Sequence, residues 1–278
     1  MTIDHETRFA VHPEAAAAMG TEELRRHFLI QGLFETGRIR LSYTHYDRMI
    51  VGGAVPTTEE IALETIRPNG TARFLERREL VLVHVGGGEG HVRVGEESHV
   101  LKVRDMLYVG LGQEVALRSA DGANPARFYL LSAPAHKTLP TRHLPHESAK
   151  RIDLGARATS NERSIFQYTT TIETCQIVVG MTKLAEGSVW NTMPAHVHDR
   201  RMEAYLYFDL ADEARVFHLM GEPTETRHIV MANEEAVVSP PWSIHSGCGT
   251  SSYSFVWAMA GDNVDYTDMD PAPLKDLR

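Results

Sequence analysis

The sequence predicts an all-β chain made of two jelly-roll β-barrels behind a short N-terminal helical lead-in. Three observations lead there. Strand-forming segments recur in two series, one before residue 132 and one after residue 174. The two series run in a similar order, each ending on a long apolar closing strand, RFYLLSA in the first and SYSFVWAM in the second. Between them lies Ala133–Ser160, which carries Pro134, Pro140 and Pro145 with mixed charge and reads as a connector. Two meanders of similar order fit a duplicated antiparallel barrel.

The elements follow in chain order. Thr21, Glu22 and Glu23 precede LRRHFLI, a threonine cap with acids in the first turn of a short helix. The first strand series is Arg38–Tyr43, Glu79–Val85, His91–Val94, Met106–Val109, Glu114–Ser119 and Ala126–Leu131. The second is Cys175–Leu184, Glu203–Asp209, Arg215–Met220, Ala236–Ser239 and Tyr253–Met259. Glu76-Arg77-Arg78-Glu79-Leu80 opens a hydrophobic strand in the first series much as Asp199-Arg200-Arg201-Met202-Glu203 opens one in the second. Gly86-Gly87-Gly88-Glu89-Gly90 is read as a hairpin turn, because a phosphate loop would feed a helix and carry a nearby lysine. The expected organisation is a lead-in over 1–50, a first barrel over 51–135, a connector over 136–165 and a second barrel over 166–278.

Composition narrows the function classes. Across 278 residues, 28 Lys and Arg against 37 Asp and Glu leave a net charge of −9. Nucleic acid or an anionic membrane would require a basic face, so neither is an expected partner. No apolar run reaches the length of a membrane span, and the opening MTIDHETRFAVHP is polar. Cys175 and Cys248 are too few for a disulfide framework, which fits reduced thiols and a cytoplasmic location.

Fifteen histidines are the unusual count, and their placement carries the chemistry. His196 and His198 lie two apart, so on an extended strand both imidazoles face one point. Glu203 lies five residues on, an odd step, so a turn or bulge must bring it back on the next strand. His245 follows the turn Pro240-Pro241-Trp242-Ser243-Ile244. Three imidazoles and one carboxylate suit a divalent transition metal with positions left for water or substrate. The spacing, H-x-H-x4-E with a later P-x-x-x-H, resembles the metal-binding pattern of the cupin barrels. Arg77-Arg78-Glu79 has no H-x-H before it, so the second barrel alone is expected to hold metal.

Longer strings extend the likeness. WNTMPAHVHDRRMEAYLYF, Glu225-Thr226-Arg227-His228-Ile229-Val230-Met231, SPPWSIHSGCGT and the end Met269-Asp270…Lys275-Asp276-Leu277-Arg278 resemble the 5-keto-4-deoxyuronate isomerases, as do Asp47-Arg48-Met49-Ile50-Val51-Gly52-Gly53, FLERREL and Ala133-Pro134-Ala135-His136. The resemblance covers essentially the whole chain. It implies a double cupin with one zinc per subunit on His196, His198, Glu203 and His245, assembled as a homohexamer. The implied enzyme is an aldose–ketose isomerase that converts 5-dehydro-4-deoxy-D-glucuronate into 3-deoxy-D-glycero-2,5-hexodiulosonate in pectin and uronate breakdown.

Such a reaction moves a proton between neighbouring carbons through an enediol whose oxygens a metal stabilises. The sequence identifies no general base. Because the substrate is a carboxylate, a cation should face the pocket. Alternation from Glu203 places Arg201, Tyr205 and Tyr207 on its side, making Arg201 the expected carboxylate clamp and Tyr205 a polar contact, with Arg163 or a residue of the first half the next to consider. Trp242 and Met193 are expected to line the pocket and Trp257 to pack the core. The alternatives are an isomerase of 5-deoxyglucuronate, an iron-dependent dioxygenase and a sugar-binding cupin without turnover.

Overall fold

A computed structural model of the chain describes residues 3–278. It is the expected double cupin, in which sheets dominate and the described residues contain two α-helices. One helix, Pro13–Ala17, is short. The other, Thr21–Phe28, begins one residue earlier than its threonine suggested. Gly20 occupies the cap position, and the Glu23 carboxylate accepts from the Gly20 N–H at 3.4 Å. Leu24 and Phe28, four apart, are its buried face. No described helix is long and apolar enough to cross a membrane.

The chain divides into two compact units that interleave along the sequence. The first is Gly32–Ala149 with Tyr168–Val178 and the segment ending at Arg8; the second is Phe9–Gln31, Lys150–Gln167 and Val179–Arg278. These are not the consecutive stretches 1–50, 51–135, 136–165 and 166–278. The reason lies in the edge strands. Ile3–Arg8 and Lys150–Leu154 are mostly exposed, so neither shows the alternation that marks a half-buried strand. The connector itself contributes Arg142–Leu144 to the first unit and Lys150–Leu154 to the second.

Each unit pairs a seven-stranded sheet with a four-stranded one. In the first, the larger sheet runs Ile3–Arg8, Arg38–Thr44, Ile50–Val55, Arg127–Pro134, Arg78–Gly86, Met106–Val109, Arg142–Leu144. It is antiparallel apart from the parallel pair of Ile3–Arg8 with Arg38–Thr44. The smaller sheet runs Ile61–Ala62, Val115–Ser119, Gly90–Val94, Glu97–Leu101. Leu80, Leu82 and Leu130 from the larger sheet join Val92, Leu101 and Leu117 from the smaller in one aliphatic core. The glycine segment is therefore no hairpin, because the strands on either side of it belong to different sheets. Gly87 makes the switch possible: its φ is +83°, and a Cβ there would lie 1.9 Å from the Pro125 carbonyl oxygen.

Glu79 faces away from this core. Fully buried, its carboxylate accepts from the N–H groups of Cys175, Gln176 and Ile177 at 2.7–2.8 Å and from the Tyr108 hydroxyl at 2.7 Å. Four donors satisfy a charge that would otherwise be costly to bury.

In the second unit the larger sheet runs Lys150–Leu154, Arg163–Gln167, Val178–Leu184, Ser254–Gly261, Arg201–Phe208, Glu235–Ser239, Leu29–Ile30. The smaller runs Trp190–Asn191, Ser246–Gly249, Val216–Glu222, Glu225–Met231, and a ribbon pairs His196–Val197 with Asp270–Pro271. The strand Arg201–Phe208 is central and buried on both faces. Where the first barrel has Leu80 and Leu82 inside, this one turns Glu203, Tyr205 and Tyr207 inward, against His218 of the smaller sheet.

Candidate metal centre

The four predicted ligands come together in the second barrel. His196 sits in the short strand His196–Val197, and His198 follows it. Asp199, at φ +28°, then turns the chain tightly into Arg201–Phe208. A short aspartate tolerates this region better than most residues. The odd step from His198 to Glu203 is thus absorbed by a turn, and Glu203 re-enters on the central strand. His245 arrives from the proline turn, immediately before Ser246–Gly249. That turn is pinned by the Ser243 N–H to the Pro240 carbonyl, the Ile244 N–H to the Gly221 carbonyl, and the Gly221 N–H to Ser243 Oγ, each at 2.9 Å.

His198, Glu203 and His245 are buried and His196 is half-buried; one ligand atom from each falls within 4.8 Å of the others. His198 Nε2 and His245 Nε2 each stand 2.8 Å from Glu203 Oε2, and His196 Nε2 lies 3.0 Å from His245 Nε2. Tetrahedral ligands at about 2.0–2.1 Å from a zinc are about 3.3 Å apart, so these three pairs stand close to the spacing of a coordination shell, while separations within the group of four run up to 4.8 Å. Among the described residues this is the one such gathering of histidine, cysteine and acidic side chains.

Their protonation suits a metal too. Burial pushes the His196 imidazole down to about 3. Burial alone would raise the Glu203 carboxyl, but the His245 and His198 imidazoles hold it well below the usual carboxylate range. Near neutral pH His196 is uncharged and Glu203 ionised, the forms a metal requires. His198 Nδ1 donates to the Asp268 carbonyl at 2.8 Å, which fixes its tautomer and aims Nε2 at the cluster. Behind His245 lies Tyr205, with ring centroids 5.5 Å apart, and deeper still the Tyr207 hydroxyl meets His218 Nδ1 at 2.8 Å.

A cavity of about 290 Å³ opens over His196, His198 and Glu203. Its other walls include Thr192, Met193, Tyr205, Trp257, Tyr266, Met269 and Arg163. Met193 lines it as expected. Trp242 does not; it packs edge-on against Phe28, with centroids 6.4 Å apart. Trp257 is buried in the core as expected, and its ring also forms part of the wall, because Gly180 leaves room for it: a Cβ there would lie 2.0 Å from the indole. Trp257 Nε1 donates to Thr182 Oγ1 at 3.2 Å, and its ring leans on Tyr266 at 5.3 Å. Tyr205 Oη lies 3.2 Å from Thr192 Oγ1. Burial raises the phenols of Tyr205 and Tyr266, so both stay protonated near neutral pH. Beyond the clustered donors and these phenols, Arg163 is the remaining titratable group of the wall among the described residues.

Arg201 is not in that wall. Fully buried, its guanidinium donates to the carbonyls of Asp265 at 2.6 Å and Asp268 at 3.0 Å, with longer contacts to Asn263 Oδ1 and the Tyr266 carbonyl. The expectation of a carboxylate clamp is corrected accordingly: Arg201 holds the loop that carries Tyr266, Asp268 and Met269. Alternation along the strand gives the face of Arg201 but not the loop that covers it. Tyr266 lay outside the sequence reading because its irregular loop has no periodicity, whereas Met269 belongs to a string that carries the family resemblance.

The structure is similar to that of an IolB-like protein from Salmonella typhimurium LT2, at a TM-score of 0.63 and 15% identity, covering 80% of this chain and 86% of that one. It is also similar to a Bacillus subtilis oxalate decarboxylase point mutant, at 0.54 and 9%, covering 78% and 70%. At these identities the likeness shows the fold. In sequence, the chain is 66% identical to the 4-deoxy-L-threo-5-hexosulose-uronate ketol-isomerase 2 of Rhizobium meliloti over 99% of this chain and 98% of the relative. It is 57% identical to the ketol-isomerase of the same name from Cereibacter sphaeroides, over 98% of each. Residues 31–273 match the model of the KduI/IolB family, and with relatives this similar over their full length the chain belongs to that family.

Proposed function

We propose that the chain is a metal-dependent ketol-isomerase of 4-deoxy-L-threo-5-hexosulose-uronate, also called 5-dehydro-4-deoxy-D-glucuronate, yielding 3-deoxy-D-glycero-2,5-hexodiulosonate. The observation that carries this reading is a four-donor cluster under an open cavity in a chain 66% identical, end to end, to a relative bearing that name. We read His196, His198, Glu203 and His245 as the metal ligands. Zinc is the proposed metal, since imidazole and carboxylate donors suit it and the reaction has no net redox change. When bound, zinc supplies Lewis-acid polarisation of a carbonyl.

In the reaction C2 loses a proton, and the C1 aldehyde oxygen gains one to give an enediol. C1 then receives a proton and the C2 hydroxyl loses its own, leaving a ketone at C2. Atoms and charge balance without a co-reactant. We read the protonated Tyr205 Oη, which lines the cavity 3.2 Å from Thr192 Oγ1, as a hydrogen-bond donor to a substrate oxygen. Trp257, Met193 and Met269 keep bulk water from the enediol. No carboxylate or imidazole outside the ligand set lines the cavity among the described residues, so the proton acceptor is sought within that set or in a water it orients.

The likeness to the family further suggests a homohexamer working in pectin and uronate breakdown. The free thiols of Cys175 and Cys248 suit the cytoplasm. The test is kcat/KM on 5-dehydro-4-deoxy-D-glucuronate and on 5-deoxy-D-glucuronate with metal-loaded protein. A clear preference for the former is expected; a preference for the latter, or binding without product from either, would reject the assignment.

A further inference from the structure

We infer that Arg163 binds the carboxylate end of the substrate, holding the reacting aldehyde end at the His196, His198, Glu203 and His245 cluster. This rests on the isomerase reading. That substrate carries its aldehyde and its carboxylate at opposite ends of a six-carbon chain, so one cavity must offer two different anchors. The four-donor cluster is one. Of the lysines and arginines among the described residues, Arg163 alone lines the cavity.

Its guanidinium is only partly used. Nη1 donates to the Asn161 carbonyl at 2.9 Å, which fixes the side chain. Nε is buried without a hydrogen-bond partner, and Nη2 has none among the described residues. No aspartate or glutamate among the described residues forms an ion pair with it; burial bears most on its charge, followed by the phenols of Tyr266, Tyr205 and Tyr253. A half-buried cation facing neutral aromatic walls, with two free N–H donors on one edge of its planar fork, is complementary to a carboxylate. The contrast with Arg201 is direct, since that guanidinium is spent on backbone carbonyls. Arg163 opens the strand Arg163–Gln167, whose far end holds Tyr266 through Gln167, so the cation and one cavity wall share a rigid support.

The test uses the metal-loaded full chain with Arg163→Met and Arg163→Lys. Three quantities are measured in each: metal per chain, kcat and KM for 5-dehydro-4-deoxy-D-glucuronate, and calorimetric affinity for D-gluconate beside uncharged D-glucitol. D-Gluconate has a carboxylate but no carbonyl to isomerise. With metal content unchanged, Arg163→Met should raise KM and weaken gluconate binding by about 10–150-fold, leave glucitol binding as it was, and exceed the effect of Arg163→Lys. Wild-type KM and gluconate affinity in a metal-loaded Arg163→Met protein would overturn the inference, as would loss of metal. A wild type that binds gluconate through Arg163 but does not turn over the uronate would reject the isomerase reading instead.

Discussion

Replacing Arg201 with methionine should weaken metal binding and stability together while leaving KM nearly untouched. The guanidinium makes two short hydrogen bonds, to the Asp265 and Asp268 carbonyls, and two long ones that add little. Hydrogen bonds to a charged group are worth about 1.5–3 kcal/mol each, so losing both costs about 3–5 kcal/mol once some water reaches the freed carbonyls. The Asp268 carbonyl also accepts from His198 Nδ1, so a loosened loop frees that imidazole. Removing such a supporting contact commonly lowers metal affinity by about 10–100-fold. Zinc competition with a chromophoric chelator and urea unfolding measure the two effects, with kinetics at saturating metal as the third reading. Lysine, a point charge, should rescue only part of the loss. An Arg201→Met protein with normal zinc affinity and stability but a raised KM would refute this reasoning and restore Arg201 as the substrate clamp.

Other outcomes follow from the same geometry. His196→Ala and His245→Ala should each abolish bound metal and turnover while the urea midpoint falls only modestly, because the ligands sit on strands or directly beside strands that pack without the ion; unfolded variants or metal-loaded ones would contradict this. Glu79→Gln replaces a carboxylate that accepts four hydrogen bonds with an amide that can accept fewer, so it should destabilise the first unit by about 3 kcal/mol in urea unfolding with metal content unchanged. Burial holds His218 at about 3, below its ordinary value near 6.5. The unfolded chain therefore takes up this proton first, and the associated stability, full above pH 6.5, is lost as pH falls toward 3. Between pH 7 and pH 5, wild-type stability should drop about 2 kcal/mol more than that of His218→Gln, and equal slopes would place the ring's titration elsewhere.

The legible part of the molecule was the part set by local chemistry. The odd step from His198 to Glu203 demanded a turn, and Asp199 makes it. The proline run before His245 demanded a rigid approach, and Ser243 with the Gly221 backbone supplies it. The hidden part depends on what lies over a face rather than on its period. Alternation gave Arg201 the direction of Glu203, but the crossing of residues 263–268 above it is a long-range event without a local signal. Trp257 joins the cavity wall because Gly180, far away in sequence, leaves the space. Edge strands such as Lys150–Leu154 escaped for the opposite reason, since exposure on both faces removes the apolar alternation that would mark them.

The most direct test of the central claim is an NMR time course of 5-dehydro-4-deoxy-D-glucuronate with protein of known metal content, before chelation, after it, and after zinc is restored. The account predicts conversion to 3-deoxy-D-glycero-2,5-hexodiulosonate at one metal per chain, no conversion once the metal is removed, and recovery on zinc addition. Undiminished conversion by metal-free protein would contradict it.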